Sequence, residues 1–178
     1  HGCGRAAAFE RRALRACDLL IISGGVSVGD RDYVREALKR CKVKELFWKV
    51  DMKPGMPLFW GKRGRKRVIG LPGNPVSVFV TFEEFVKPCL SLLQGRTPRD
   101  AYDKSARLAQ DMKLSARRRT HFVRVKYAAQ NGHLEVAPLA DQGSHQLRSL
   151  VEADGWVRLQ ADEGPWTAGS AVQVKGQT

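Results

Sequence analysis

Apolar residues follow two different patterns along the chain, and the pattern changes near residues 95–103. Before the change, residues 18–23 form a continuous apolar run that is too short for a helix, which predicts a strand buried on both faces. Residues 5–16 and 31–40 show apolar positions at helical spacing. This alternation predicts an α/β domain with a mainly parallel sheet.

Further strands are predicted at residues 43–50, 58–60 and 67–71, with a basic turn before the last of them. A long, largely apolar helix should follow Asn74 and end at Gly95. Pro88 should bend or shorten that helix because proline lacks a backbone N–H.

After Pro98, short alternating segments replace this pattern. Val123, Val125 and Tyr127 lie on one face of a predicted strand, and Asn131-Gly132 is a strong hairpin signal. Further strands are predicted at 155–159 and 171–174. We therefore predict two domains, an α/β domain over 1–97 and a small all-β, barrel-like domain over 98–178.

Length and composition are those of a globular protein: 178 residues, 43% of them apolar. No apolar run is long enough for a transmembrane helix, and His1–Phe9 lack the order of a signal peptide. The four cysteines are widely spaced, which favours a reduced, cytoplasmic setting.

The formal net charge of +13 is unevenly distributed. Residues 1–97 hold 19 Lys/Arg and 9 Asp/Glu, whereas residues 98–178 hold 12 and 9. The clusters at 62–67 and 117–119 contain no aromatic residues, so solvated loops explain them better than a nucleic-acid surface. An anionic small substrate fits the general excess of charge.

The segment Gly70–Ser77 is the clearest functional signal, because it has the sequence of a strand, a tight turn and a helix start. Asn74 suits the N-cap, Pro75 the first helical position, and Ser77 falls in the first turn. Free N–H groups at such a helix start attract anions. A well-capped turn without any ligand is the alternative.

Two further segments carry candidate chemistry. The glycine-rich loop 24–30 follows the first strand, and Asp30 and Asp32 either cap the next helix or hold a Mg²⁺ ion. Lys53, before Pro54, is either an exposed turn residue or a ligand contact.

Together, residues 23–33, Lys53-Pro54-Gly55 with Pro57, and Gly70–Ser77 resemble the molybdopterin molybdenumtransferases, also called molybdenum insertases. The resemblance extends over nearly the whole chain, including the Gln142-Gly143-Ser144-His145 turn. It implies part of a three-layer α/β molybdopterin-binding domain followed by a barrel-like domain. Family members are longer, so the chain is expected to be a C-terminal portion.

The resemblance also implies a reaction, in which adenylated molybdopterin is hydrolysed and molybdate is inserted into its dithiolene with release of AMP. It implies Asp32 as the catalytic residue, with Asp32 and Asp30 as Mg²⁺ ligands. The implied substrate-binding residues are Gly24, Gly25, Ser27, Lys53, Pro54, Gly73, Asn74, Pro75 and Ser77, with Arg124 and Ser149 from the β domain.

The sequence departs from the family pattern at two positions: Met56 stands where many members have a second lysine, and Arg148 where a hydroxyl residue is frequent. The implied partners are a second copy in a homodimer of the full-length protein and a molybdopterin adenylyltransferase that hands over the substrate. Neither a specific nucleic acid nor a membrane is expected. The alternative function is a non-catalytic module that binds molybdopterin or molybdate, or serves as a scaffold.

Overall fold

A computed structural model describes residues 10, 12–26, 33–114, 118–130, 132–160 and 162–176. The chain forms two compact units. The first comprises His1–Val50 and Gly55–Lys87, and the second Asp51–Pro54 and Pro88–Thr178. This division reflects which residues contact each other and does not test the domain boundary that the sequence predicts between residues 97 and 98. That boundary stays a prediction.

The first unit contains a four-stranded sheet of mixed direction. Its strands, in the spatial order β1, β5, β4, β2, are β1 (Leu19–Ser23), β5 (Lys66–Leu71), β4 (Phe59–Arg63) and β2 (Lys44–Trp48). The β1–β5 pair is parallel, and the other two pairs are antiparallel. The expectation of a mainly parallel sheet is therefore wrong for the described strands. The short turn at Gly64, with a φ of 59°, joins β4 and β5 as a hairpin, which requires antiparallel pairing.

β1 is less buried than its apolar sequence predicts. It lies at one end of the sheet order, and β5 is its partner among the described strands. Leu20 and Ile22 pack against the core, whereas Ile21 is 39% exposed. The prediction of a strand buried on both faces is wrong, because apolar composition does not distinguish a central strand from an edge strand.

The core of the first unit lies between this sheet and two helical segments. Residues 12–16 are helical, with Leu14 buried, and α1 (Val34–Arg40) buries Ala37 and Leu38. The remaining buried core residues are Val26, Cys41, Val43, Phe59 and Val68.

The long apolar helix after Asn74 has three parts. These are α2 (Pro75–Thr81), a π-helical turn (Phe82–Val86) and α3 (Lys87–Leu93). Pro88 lies two residues after the end of the π-helical turn, consistent with the predicted distortion near a residue that cannot donate a backbone hydrogen bond. Gly95 has a φ of 73° at the end of the helix, as predicted.

Basic residues face each other across three strands at the β4–β5 hairpin. Lys44 is in register with Lys62, and Lys62 with Arg67. Like charges directly opposite each other destabilise a sheet. The predicted basic turn is the tip of this hairpin, where Arg63 pairs with Lys66.

The β2 strand lies at the other end of the sheet order. Its register with β4 shifts between Glu45 and Phe47, which leaves Leu46 as an irregularity in the ladder. Leu46 and Phe47 are 47% and 40% exposed. The ring of Phe47 stacks on Trp60, with centroids 5.9 Å apart.

The second unit is a closed β-barrel with one additional strand. β6 (Lys104–Leu108), β7 (Thr120–Gln130), β8 (His133–Pro138), β9 (Gly155–Leu159) and β10 (Ala171–Gly176) close through pairing of β7 with both β8 and β9. The short β3 (Met52–Lys53) pairs parallel with the start of β7, and α4 spans Arg148–Glu152. The predicted α/β fold with a barrel-like C-terminal part is confirmed.

Alternating residues of these strands fill the barrel. The predicted hairpin is present, because Gln130 pairs with His133 and Gly132 has a φ of 76°. The buried core consists of Ala106, Leu108, Val123, Val125, Val136, Val157, Leu159, Val172 and Val174. None of the helices in the described part of the chain is long and apolar enough to cross a membrane. The described cysteines, Cys17, Cys41 and Cys89, form no disulfide with one another.

Glu10 is a buried acid in the first unit. It is 5% exposed, and its Oε2 atom has no hydrogen-bond partner within the described residues. Burial raises the pKa of its carboxyl from 4.5 to about 7. The fold therefore favours the protonated form.

We expect Glu10→Gln to change the pH dependence of stability. The contribution of Glu10 is full below pH 4.5 and is lost as the pH rises through about 7, since ionisation then opposes burial. Glutamine cannot ionise, so the variant should gain roughly 1–2 kcal/mol relative to the wild type between about pH 5 and pH 8. Urea unfolding at both pH values measures this gain, and an equal difference at the two values would contradict it.

Candidate functional site

Two of the predicted loops lie side by side in the first unit. Because β1 and β5 are parallel, their carboxyl ends are at the same edge of the sheet. The Gly24 N–H donates to the Leu71 carbonyl at 3.0 Å, and Ser23 Oγ donates to the Pro72 carbonyl at 3.4 Å. The described start of the glycine-rich loop, residues 24–26, and the Gly70–Ser77 turn therefore share one edge of the sheet.

The glycines of the first loop are required by its backbone. Gly24 and Gly25 have φ angles of 82° and 72°, a region that disfavours other residues. A Cβ on Gly25 would also lie 2.6 Å from Val34 Cγ2. Gly73 is adjacent to this loop, since a Cβ there would lie 3.8 Å from the Gly24 Cα. Two backbone segments thus approach each other closely at this edge.

The helix start after Gly73 has the predicted form. Asn74 occupies the N-cap position with an extended backbone, its carbonyl accepts from the Val78 N–H at 2.9 Å, and Pro75 is at the start of α2. Ser77, one turn into the helix, is 4% exposed. The N–H groups of this first turn form a region of positive potential.

Lys53 belongs to the second unit. Pro54 and Pro57 predict an irregular segment, yet Met52–Lys53 form the short strand β3, in which Lys53 is in register with His121. The Thr120 N–H extends this pairing by donating to the Asp51 carbonyl at 2.9 Å. The expectation of irregular structure is wrong for Met52 and Lys53, because a proline blocks hydrogen bonding at its own nitrogen and not at the residues before it.

A pocket of about 210 Å³ opens beside Lys53. Among the described lining residues, Asp111 is the one carboxylate, beside two lysines, a histidine and a glutamine. The lining residues are Lys53, Pro54, Asp111, Met112, Lys113, Leu114, His121, Phe122, Val123, Pro138 and Gln142. Lysine side chains beside apolar lining residues suit a small anion with an attached apolar group.

Arg124 is 1% exposed, and its hydrogen bonds hold a neighbouring loop. Its Nε donates to Gln142 Oε1 at 3.3 Å, and one terminal nitrogen donates to the Gly143 carbonyl at 3.2 Å. Burial lowers the pKa of the guanidinium, and the charge of Asp141 opposes that shift. Binding a ligand through this side chain would require these hydrogen bonds to rearrange.

Gln142 completes a reciprocal set of hydrogen bonds with Arg124. Its Nε2 donates to the carbonyls of Arg124 and Leu139, both at 2.9 Å, and its Oε1 also accepts from the Arg124 N–H at 3.1 Å. Every donor of the amide is therefore used. This network attaches the loop after β8 to the wall of the Lys53 pocket.

Ser149 is also buried, at 4% exposure. Its hydroxyl donates to the Gln146 carbonyl, and its own carbonyl accepts from the Ala153 N–H at 3.2 Å. Ser149 and Arg124 thus stabilise the same segment of the second unit, residues 142–153.

Three predicted residues, Ser27, Asp30 and Asp32, lie outside the described residues. Within the described ranges, no group of three or more His, Cys, Asp or Glu residues could hold a metal ion.

Sequence reasoning missed His121 and Lys113 in the pocket. His121 is 6% exposed and joins the pocket through the pairing of β3 with β7, residues that are far apart in the chain. No local pattern indicates that pairing. Gln142 could be found from the sequence, because it begins the Gln142-Gly143-Ser144-His145 turn, which is part of the family resemblance.

Two family models match the chain. The model described as "Probable molybdopterin binding domain" matches residues 5–92, and that described as "MoeA C-terminal region (domain IV)" matches residues 105–175.

Individual relatives and solved structures are similar over most of the chain. A molybdopterin molybdenumtransferase from Haemophilus influenzae is 36% identical, over 95% of this chain and 43% of its own length. The molybdenum cofactor synthesis protein cinnamon of Drosophila melanogaster is 34% identical, over 90% of this chain and 28% of its own. The structure of a molybdopterin biosynthesis MoeA protein from Pyrococcus horikoshii superimposes with a TM-score of 0.72 at 26% identity, covering 96% of this chain and 40% of that one. The chain thus spans less than half the length of these relatives.

We expect Gln142→Leu to lower the unfolding free energy by about 2–4 kcal/mol, because it removes the Gln142 partner of Arg124 Nε, of the Arg124 N–H and of the Leu139 carbonyl. Urea unfolding measures the loss. Gln173→Leu is a matched control, since Gln173 is an exposed glutamine on β10 of the same barrel. Equal effects of the two substitutions would contradict the role given to Gln142.

Proposed function

Because the chain belongs to the MoeA family of molybdopterin molybdenumtransferases, we propose that it acts in molybdenum cofactor biosynthesis as the part of an insertase that binds molybdate and adenylated molybdopterin. The observation that carries this proposal is the junction of the glycine-rich loop with the Gly70–Ser77 turn, linked at 3.0 Å between Gly24 N and Leu71 O. A helix start and a glycine-rich loop at one sheet edge are suited to an anionic substrate.

The proposed reaction of the whole enzyme is hydrolysis of adenylated molybdopterin coupled to insertion of molybdate into the dithiolene, which releases AMP. The H. influenzae relative is named a molybdopterin molybdenumtransferase, and the chain covers 43% of it. The reaction is therefore proposed for the full-length protein.

Molybdate is a tetrahedral dianion, which requires cations, hydroxyls and N–H donors around it. We assign this role to Lys53, to the Ser77 hydroxyl and to the backbone N–H groups that follow Gly73. Gly24, Gly25, Ser27, Pro54, Asn74 and Pro75 would shape the binding surface for the pterin and the phosphate. Met56, at the second lysine position of many members, removes one cation from this set.

Arg124 and Ser149 are the proposed contributions of the β domain. Both side chains form hydrogen bonds with residues 142–146. They would therefore act by holding the loop beside the Lys53 pocket, or by rearranging when the anion binds. His121 lines that pocket and is a further candidate for contact, whereas both amide donors of Gln142 are used within the loop network.

Asp32 is the proposed catalytic residue, with Asp32 and Asp30 as Mg²⁺ ligands. Carboxylates are the usual protein ligands of Mg²⁺ beside phosphates, which fits cleavage of an adenylated substrate. The full-length protein would be a cytoplasmic homodimer that receives its substrate from a molybdopterin adenylyltransferase.

The alternative is a non-catalytic module that binds molybdopterin or molybdate, or serves as a scaffold. Titration with molybdate and with adenylated molybdopterin separates the two. Binding of both without release of AMP by the full-length protein would identify a module rather than an enzyme.

We expect Lys53→Ala to weaken molybdate binding by about 10-fold or more, because a charge-assisted hydrogen bond is lost. Isothermal titration calorimetry measures the affinity, and circular dichroism should show an unchanged fold. Lys126→Ala is the control, since Lys126 is an exposed lysine of the same unit that pairs with Asp154 at 3.0 Å. Unchanged affinity in Lys53→Ala would place the site elsewhere.

We expect Asp32→Asn to reduce AMP release in a full-length context while molybdate affinity stays within about 2-fold, because the carboxylate acts on the phosphate and not on the oxyanion. AMP is quantified by chromatography and affinity by calorimetry. A joint loss of both activities would indicate a structural role for Asp32.

A further inference from the structure

Val26, at the described end of the glycine-rich loop, contacts residues of two strands of the first unit. It lies beyond the end of β1, whose pairing with β5 stops at Ser23, so the strand ladder does not satisfy its carbonyl. The indole Nε1–H of Trp48 donates to that carbonyl at 2.8 Å. The Val26 side chain is 1% exposed, and a Cβ on Gly70 would lie 2.5 Å from its Cγ1.

We propose that Trp48 is a positioning residue, which fixes the segment Gly24–Val26 against the turn that begins at Leu71. This inference rests on the proposed function only where it concerns substrate binding. The structural part concerns the order of the segment itself, which does not depend on any ligand.

Two cations lie over the Trp48 ring. The Arg35 guanidinium carbon lies 3.6 Å from the ring centroid, and Lys49 Nζ lies 4.3 Å from it. Arg35 is in turn anchored to Glu45, at 3.0 Å between its terminal nitrogen and Oε2. Cations on a tryptophan face are attractive and limit its rotation. The direction of the indole N–H is therefore fixed by residues of α1 and β2.

The backbone after Trp48 adds a second constraint. Lys49 has a φ of 69°, which is unusual for a residue other than glycine, and its N–H donates to the Leu58 carbonyl at 2.8 Å. Such a conformation persists where surrounding contacts impose it. The chain turns out of β2 at this point, directly after the residue that donates to the Val26 carbonyl.

The test compares Trp48→Phe with Trp60→Phe in the ligand-free chain. Phenylalanine keeps an aromatic ring and removes the N–H donor. Trp60 is a matched control in the same sheet. Its ring packs against the rings of Phe47 and Phe85 and not against Val26. The measurement is NMR-detected hydrogen exchange of the Gly24 amide, with the amide of the fully buried Ile69 as the reference for global stability.

In Trp48→Phe we expect Gly24 exchange to accelerate about 3–10-fold relative to Ile69, which is the consequence of losing one hydrogen bond. In Trp60→Phe the ratio should not change. An unchanged ratio in Trp48→Phe, or equal acceleration of both amides, would overturn the proposal.

Arg35→Met provides a second test that leaves the indole in place. Removing one of the two cations over the ring should accelerate Gly24 exchange about 2-fold. No change would count against the role of these cations in orienting the indole. Molybdate affinity should fall a few-fold in Trp48→Phe but not in Trp60→Phe. Faster Gly24 exchange with unchanged affinity would overturn the substrate-positioning role, whereas a failure of Lys53→Ala to affect binding would bear on the proposed function alone.

Discussion

The parallel pairing of β1 with β5 is the constraint on which the rest of the first unit depends. It places Ser23 beside Leu71, so the loops that follow the two strands start from neighbouring points. An antiparallel pair would direct those loops to opposite ends of the sheet. The Gly24 to Leu71 hydrogen bond extends this pairing by one residue into the loops, and the positive φ angles of Gly24 and Gly25 turn the chain away from the strand direction.

In the second unit, a buried cation has the comparable role. Removing the Arg124 guanidinium from water is costly, and the cost is offset by two acceptors on the loop after β8 and by the nearby charge of Asp141. The loop cannot move without leaving that charge unpartnered. A barrel strand thereby controls the shape of a surface segment, which fixes Gln142 in the wall of the Lys53 pocket.

Local features of the fold were predictable because they depend on neighbouring residues. The cap position of Asn74, Pro75 at the helix start, the end at Gly95 and the hairpin before His133 are each determined within a few residues. The mixed direction of the sheet and the exposure of Ile21 were not, because both depend on which strands are neighbours. For the site, residue identity indicated Lys53, but its register with His121 arises from a pairing across many intervening residues. Arg124 alternates with core residues along β7, and sequence alone does not show that its side chain is used by Gln142.

The irregular register of β2 has a consequence for the behaviour of the protein in concentrated solution. A straight strand at the end of a sheet offers its free backbone groups to any other extended chain, and exposed apolar residues such as Leu46 and Phe47 would strengthen that association. The shift between Glu45 and Phe47 interrupts the even spacing of those groups, and Lys44 adds a charge next to it. The strand can therefore keep its aromatic contact with Trp60 while being a poor template for aggregation through strand addition.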